Sequence, residues 1–227
     1  MNARLRPKTA RDELCPLTGL LTGRPAREHL AGELDVVMKR GEAASLTLVD
    51  LDEFAHANRT LGKDRADQLL KAVIRRVKGA LPEGATLVRL AGDCFAALLP
   101  RTELEEAIVK LEEVRASVAR SPVIVGKAAT RRETHPTVSI GIAAAPRDGD
   151  SFEPVLARAQ SALRRAKSLG RNRVATPPDD RMILKTSYYS ATQLERLKQL
   201  ALSLDVTESV LLRQALEDIL LKYKERT

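Results

Sequence analysis

Apolar residues recur at intervals of three and four along several stretches of the chain, and this spacing predicts amphipathic helices. The stretches are residues 25–39, 64–80, 102–119 and 151–169. Thr102 followed by Glu105 predicts a capping box at the start of the third helix. Gly170 is suited to the position just after the fourth helix.

Strand patterns lie between these helices. Residues 45–51 and 137–144 are strand candidates, and residues 88–99 have the pattern of two short strands joined by a turn. The turn contains Gly92 and Asp93. Glycine allows a phosphate to approach the backbone, and a carboxylate suits a divalent metal ion that carries nucleotide phosphates. Because hairpins occur beside crossovers, the sequence predicts an α+β fold rather than a doubly wound sheet.

A second pattern begins after residue 176. Two prolines and two acids in residues 176–180 cannot continue a helix or a strand, so they predict a linker. The expected division is an N-terminal arm (1–14), a first domain (15–176), a linker (177–181) and a second domain (182–227).

The second domain is expected to contain one strand, residues 182–189, and two helices capped by Ser190 and Thr207. Elements this short cannot bury their apolar faces alone. We therefore predict a homodimer formed through residues 182–227.

Composition restricts the classes of protein. No run of about 18 apolar residues is present, so no membrane span is expected, and the basic start of the chain lacks the apolar segment of a signal peptide. Cys15 and Cys94 have neither metal-type spacing nor a disulfide pattern, so the reducing cytoplasm is the expected location. A net charge of +8 is compatible with phosphate-bearing partners but does not require them.

Several motifs between Cys15 and Ala175 resemble, in order and spacing, those of the GGDEF domains of diguanylate cyclases. They are Leu17-Thr18-Gly19-Leu20, Asp50-Leu51-Asp52-Glu53-Phe54 with Asn58, Gly62 and Asp67, Ala91-Gly92-Asp93-Cys94-Phe95, residues 138–143, and Ala162-Leu163 with Ala166-Lys167 and Gly170-Arg171-Asn172. The resemblance implies a central sheet of the GGDEF, nucleotidyl-cyclase-like kind, flanked by helices.

The same resemblance implies roles for individual residues. The guanine nucleotide would be bound by Phe54, Asn58, Asp67, Ala91, Gly92, Lys167 and Arg171. The cofactor Mg²⁺ would be held by Asp50, the carbonyl of Leu51, Asp52 and Asp93. Each residue alone has an ordinary structural explanation, but together, at the family spacing, they favour guanine-nucleotide binding.

The chain departs from the family pattern where the chemistry would occur. Cys94 replaces the second acid of the signature and leaves Asp93 as a vestigial catalytic residue, and a thiol is a poor ligand for Mg²⁺. The product-inhibition motif, Arg-x-x-Asp, would fall on residues 82–85 and is absent. Further departures are Cys15, Ala55, Ala91, Gln160 and Arg164. These changes predict that GTP binding is retained and that cyclic di-GMP synthesis is lost.

Residues 186–189, 193–198 and 206–216 follow the pattern of a CopG-like ribbon–helix–helix DNA-binding module. In that fold two strands, one from each chain, pair and enter the major groove. The resemblance implies that Thr186 and Tyr188 face the bases, with Lys185 near a phosphate. The N–H groups at the start of the second helix, near Thr207 and Ser209, would meet another DNA phosphate. Polarity alone favours the opposite strand face, which carries Lys185, Ser187 and Tyr189.

The sequence thus predicts a dimeric DNA-binding regulator with a degenerate GGDEF domain that binds GTP and Mg²⁺. An active diguanylate cyclase dimerised by its tail is one alternative. A scaffold whose GGDEF fold binds only protein is another. The tail could also serve dimerisation alone, because its acids and bases nearly balance and DNA-binding modules usually carry a basic excess.

Overall fold

Two helical layers enclose a central sheet in the computed structural model, which describes residues 13–127, 130–178, 188–204 and 207–223. The chain divides into two units, residues 1–179 and 180–227. The helices and strands of the first unit are α1 (Gly23–Lys39), β1 (Ala44–Leu51), α2 (Phe54–Leu61), α3 (Lys63–Ala80), β2 (Thr86–Ala91), β3 (Cys94–Pro100), α4 (Leu104–Ala119), β4 (Val123–Val125), β5 (Arg132–Thr134), β6 (Val138–Ala145), α5 (Phe152–Ser168) and β7 (Val174–Ala175).

The main sheet has five strands in the order β2-β3-β1-β6-β7. All neighbours are antiparallel except β6 and β7, which are parallel. β4 and β5 form a separate antiparallel pair. The predicted α+β class is confirmed, and β1 is the middle strand of the sheet.

Helices cover both faces of the sheet, so every residue of β1 and β6 is buried. Successive side chains alternate between the faces. The face with α3 and α4 buries Val49, Leu51, Phe95, Ile140 and Ile142, and the face with α1 and α5 buries Leu46, Leu48, Leu98 and Ala143. Full burial of one such large aliphatic side chain stabilises the fold by about 1.5–3 kcal/mol.

Glycine at position 141 determines how closely α5 packs on β6. A Cβ atom at Gly141 would lie 2.2 Å from the backbone nitrogen of Leu163 and 2.5 Å from the carbonyl oxygen of Ala159. Only a residue without a side chain fits there. The close approach brings the C-terminal end of α5 towards the end of β1.

The predicted capping box of α4 is wrong. Glu103 occupies the N-cap position and no side chain caps the helix. The Thr102 hydroxyl instead donates to the Pro100 carbonyl at 3.0 Å, and Glu105 pairs with Arg147 at 3.1 Å. Thr102 is buried behind the end of β3, so its hydroxyl is used before the helix begins.

The second unit contains α6 (Ala191–Ser203) and α7 (Glu208–Tyr223). Ser190 caps α6 as predicted: its hydroxyl accepts from the Gln193 backbone N–H at 3.2 Å, and the Gln193 side chain accepts from the Ser190 N–H at 2.9 Å. Of the strand predicted at 182–189, residues 182–187 lie outside the described part, and Tyr188 and Tyr189 are in neither a helix nor a strand.

No helix in the described part of the chain is both long enough and apolar enough to cross a bilayer.

Candidate functional site

The centre of the candidate site is Asp50, next to the last residue of β1. In the ladder Asp50 is paired with Cys94 of β3 on one side and with Ser139 of β6 on the other. The residues of the signature turn therefore come beside Asp50 through strand register. The β2–β3 hairpin and the distant strand β6 therefore meet at the end of the central strand β1.

Lys167 reaches the same point from α5. Its Nζ atom lies 2.7 Å from Oδ1 of Asp50, and the Asp50 side chain is only 10% exposed. Burial raises the pKa of the Asp50 carboxyl above its ordinary value, and the charges of Asp93 and Asp52 act in the same direction against the hydrogen bond and charge of Lys167. The site thus concentrates negative charge that a cation relieves.

The Cys94 side chain is a neutral thiol at physiological pH. Burial raises its pKa to about 12, and the negative charges of Asp50 and Asp93 contribute while Lys167 opposes them. The residue lies beside the two carboxylates without adding to their charge. It therefore lacks both the charge and the hard oxygen atoms of a carboxylate ligand.

The signature turn is held in place by Arg89. Its Nε atom donates to the Gly92 carbonyl at 2.8 Å, where Gly92 has a φ of +54°, and Nη1 lies 2.7 Å from Sγ of Cys15. Burial would raise the pKa of the Cys15 thiol, but hydrogen bonds from Thr18, Arg89 and the backbone outweigh it and lower the pKa below its ordinary value. The Arg89 contacts connect the segment before α1 with the turn that presents Asp93.

Asp52 is anchored by three hydrogen bonds. Oδ2 accepts from the Thr137 hydroxyl at 2.7 Å and from the Asn172 backbone N–H at 3.1 Å, and Oδ1 accepts from the Ser139 hydroxyl at 2.6 Å. These bonds tie the end of β1 to the start of β6 and to the turn after α5. Its assignment to the metal stays a prediction, and its observed contacts give it a bracing role.

The turn after α5 presents Arg171. Arg171 and Asn172 have left-handed φ values of +62° and +46°. The Arg171 backbone N–H donates to the Ala166 carbonyl at 3.0 Å, and the Asn172 side chain accepts from Arg115 at 2.9 Å. The exposed Arg171 side chain thus belongs to a turn that is tied back to the end of α5.

The residues predicted to recognise guanine lie on two helices that pack together. Asn58 is in α2 and Asp67 is in α3, and both side chains are half-buried. Neither side chain forms a hydrogen bond or ion pair with another described residue. An amide and a carboxylate without internal partners can accept and donate bonds to a purine edge.

The donor set suits a hard cation only in part. Asp50 and Asp93 offer carboxylate oxygens and Leu51 a carbonyl, the ligand types that Mg²⁺ prefers. The described residues contain no cluster of three His, Cys, Asp or Glu side chains that could hold a metal ion. The oxygen donors fit Mg²⁺ if phosphate oxygens complete its shell.

A family profile described as "Diguanylate cyclase, GGDEF domain" matches residues 13–173. The chain belongs to the GGDEF family. Response regulator PleD of Caulobacter vibrioides is 34% identical over 162 residues, which are 70% of this chain and 35% of PleD. Diguanylate cyclase VdcA of Vibrio cholerae is 30% identical over 172 residues, or 76% of this chain and 50% of VdcA. The chain thus spans a third to a half of the length of these relatives.

Solved GGDEF structures have the same architecture. The coiled coil and GGDEF domain of DgcB from Caulobacter crescentus, in complex with c-di-GMP, gives a TM-score of 0.67 at 26% identity and covers 73% of this chain and 85% of that one. Diguanylate cyclase SiaD of Pseudomonas aeruginosa, in complex with its activator SiaC, gives 0.63 at 33% identity, with 70% and 60% covered.

Within this GGDEF domain, contacts link Asp50, Cys94 and Lys167 at one point, and Asn58 and Asp67 belong to the neighbouring helices. Sequence reasoning missed Arg89 and the hydroxyls of Thr137 and Ser139. Arg89 could have been found from its place just before the signature, but no sequence signal distinguishes the two hydroxyls.

The predicted DNA-binding residues are only partly described. Lys185 and Thr186 lie outside the described residues. Tyr188 is fully exposed, Thr207 directly precedes α7, and Ser209 is in the first turn of that helix. Their assignment to DNA stays a prediction.

Proposed function

We propose that this protein is a dimeric DNA-binding regulator whose degenerate GGDEF domain binds a guanine nucleotide with Mg²⁺ and makes no cyclic di-GMP. The observation that carries the proposal is the arrangement around Asp50. The phosphate- and metal-binding groups are kept there, and a thiol stands beside them in place of an acid.

Recognition of the nucleotide would use two groups of residues. Asn58 and Asp67 would bind the guanine edge, where an acid accepts from the ring N–H and the amino group. Lys167 and Arg171 would bind the phosphates, Lys167 as a point charge and Arg171 through its planar fork. Phe54 would contact the nucleotide, and the small residues Ala91 and Gly92 would leave room for it at the strand ends.

Asp50, the Leu51 carbonyl and Asp93 would hold the metal ion, with Asp52 bracing the loop beneath them. When bound, Mg²⁺ would neutralise phosphate charge and supply Lewis acidity. Synthesis also requires that a 3′-hydroxyl lose its proton. Cys94 is a neutral thiol and a soft ligand, so it neither adds negative charge nor contributes a hard oxygen to this step.

The second unit supports dimerisation. It exposes large apolar side chains on its two helices and just after α6: Leu194, Leu200, Leu202, Leu204, Leu212, Leu216 and Ile219. A second copy of residues 182–227 would cover them and complete a ribbon–helix–helix, whose strands would bring Lys185, Thr186 and Tyr188 to DNA. The N–H groups at the start of α7, near Thr207 and Ser209, would then meet a backbone phosphate. Nucleotide binding in the first unit would alter DNA affinity through the linker.

Calorimetry with GTP and Mg²⁺ tests the nucleotide part. We expect GTP to bind and ATP not to bind, because Asn58 and Asp67 are matched to the guanine edge. The double variant N58A/D67A should lose GTP binding while its thermal unfolding stays that of the parent. Absence of GTP binding by the folded parent protein would contradict the proposal.

An active diguanylate cyclase is the second candidate, favoured by the cyclase relatives such as VdcA and by the presence of Asp50, Asp93 and Lys167. Incubation with GTP and Mg²⁺ followed by mass spectrometry decides between the two. We expect no cyclic di-GMP from the parent, and C94E serves as the variant with the acid restored. Product formed by the parent and lost in D50A would establish the cyclase instead.

A further inference from the structure

The Lys167 ammonium occupies the place of a counter-ion at the metal-binding carboxylate. It lies 2.7 Å from Oδ1 of Asp50, and the Asp50 side chain is nine-tenths buried. Because α5 is fixed against β6 by the close packing at Gly141, this contact is built into the fold. Asp50 therefore already has a cationic partner before any ligand arrives.

We propose that Lys167 is a latch on the metal site: its ammonium holds Asp50 against a free divalent cation, and a bound triphosphate draws Lys167 away and opens Asp50 to the metal. The inference rests on the proposed function, since the releasing ligand is the phosphate chain of the nucleotide. It adds an order of events, in which the metal binds well only together with the nucleotide.

The charge balance explains why the latch is effective in this chain. The carboxylates around the site are those of Asp50, Asp93 and Asp52, and position 94 contributes a thiol rather than a fourth acid. One ammonium therefore cancels one of the three negative charges that a divalent ion would meet. Coulomb attraction at short distance scales with that charge, so metal binding without nucleotide is weakened.

The side chain of Lys167 can make the exchange. Its side chain is 39% exposed and that of Asp50 only 10%, so a phosphate oxygen can reach the ammonium first, before the carboxylate is uncovered. A lysine ammonium is a point charge on a flexible stem, so it does not require one fixed geometry and can change partners. By linkage, a nucleotide that removes the competitor strengthens metal binding, and the metal strengthens nucleotide binding by the same factor.

Titration of the full-length protein with Mn²⁺ alone, followed by electron paramagnetic resonance of the free ion, tests the latch without nucleotide. K167M and K167Q should bind Mn²⁺ about tenfold more tightly than the parent, within the usual range of coupling between two ligands. K167R keeps a positive charge and should resemble the parent. Circular dichroism melting checks that each variant is folded.

R165M is the matched control. Arg165 lies on the same helix but lines a different cavity with Ile108 and Leu169, so its loss changes net charge without touching Asp50. Unchanged Mn²⁺ affinity in both K167M and K167Q, or an equal increase in R165M, would overturn the latch. GTP calorimetry is read separately: if the parent binds no GTP, the proposed function fails, whereas the Mn²⁺ comparison still decides whether Lys167 guards Asp50.

Discussion

The two units of this chain use their apolar residues in different ways. In the first unit, β1 and β6 are buried along their whole length between two helical layers. In the second unit, Ala201 is the buried residue among those whose exposure is described, and leucines on both helices face solvent. The first unit is closed by its own contacts, whereas the second has apolar surface that its two helices do not cover.

This difference separates two sources of stability. A closed unit has a free energy of unfolding that is independent of protein concentration, and a unit completed by a second copy becomes more stable as concentration rises. The candidate nucleotide site lies in the closed unit, where strand register fixes its geometry. The proposed DNA-binding surface lies in the open one.

The closest packing in the first unit gives the largest expected effect. G141A places a Cβ atom against the backbone of α5, so we expect a loss of about 3 kcal/mol in the free energy of unfolding, measured by urea denaturation. G32A is the control, because a Cβ at Gly32 in α1 meets nothing within 4 Å and alanine favours helix. Equal stability of G141A and the parent would show that α5 is not fixed there.

The bracing of the site by Asp52 is the next test of the closed unit. D52N replaces one of the two acceptor oxygens by an amide donor and removes the charge that strengthens the three hydrogen bonds, so we expect a loss of about 2 kcal/mol in the free energy of unfolding. D35N removes an exposed ion pair with Lys39 and should change stability by less than about 0.5 kcal/mol. If both variants have the melting temperature of the parent protein, the hydrogen bonds of Asp52 do not stabilise the fold, and its carboxylate is available to other ligands.

Leu216 tests the open unit. L216E puts a charge on the apolar face of α7, so the dimer should dissociate about tenfold more readily, a change of about 1.4 kcal/mol, in sedimentation equilibrium. The midpoint of urea denaturation of the first unit should not change. Q214E, a substitution at an exposed polar position of the same helix, is the control. A parent protein that is monomeric at all concentrations contradicts the comparison.

The helix cap at Ser190 gives the smallest effect. S190A removes the bond to the Gln193 N–H, and we expect a loss of about 1 kcal/mol in the local stability of α6. Hydrogen exchange at the Gln193 amide measures it. S203A, at the other end of the helix, removes only a bond to the Leu200 carbonyl and should leave that exchange rate unchanged. If the Gln193 amide exchanges at the same rate in S190A as in the parent, packing rather than the cap stabilises the start of α6.

Local patterns predicted most long elements correctly because their periodicity is a property of neighbouring residues. The helices at 25–39, 64–80 and 151–169 and the hairpin at 88–99 are observed within a few residues of their expected bounds. The eight-residue helix α2 was not predicted, since two turns give too short a period to recognise. The capping box at Thr102 was wrong because the helix begins one residue later, with Glu103 at the N-cap, and the Thr102 hydroxyl donates to the Pro100 carbonyl instead.

The sequence by itself determined the family, the α+β class and the residue types of the site, because motif order and hydrophobic period are encoded along the chain. Only the tertiary structure decided which of these residues meet. The pairing of Lys167 with Asp50, the anchoring of Asp52 and the position of Cys94 beside the carboxylates depend on strand register and on the approach of α5. Such contacts join residues that lie dozens of positions apart in the chain, so the spacing of neighbouring residues cannot reveal them.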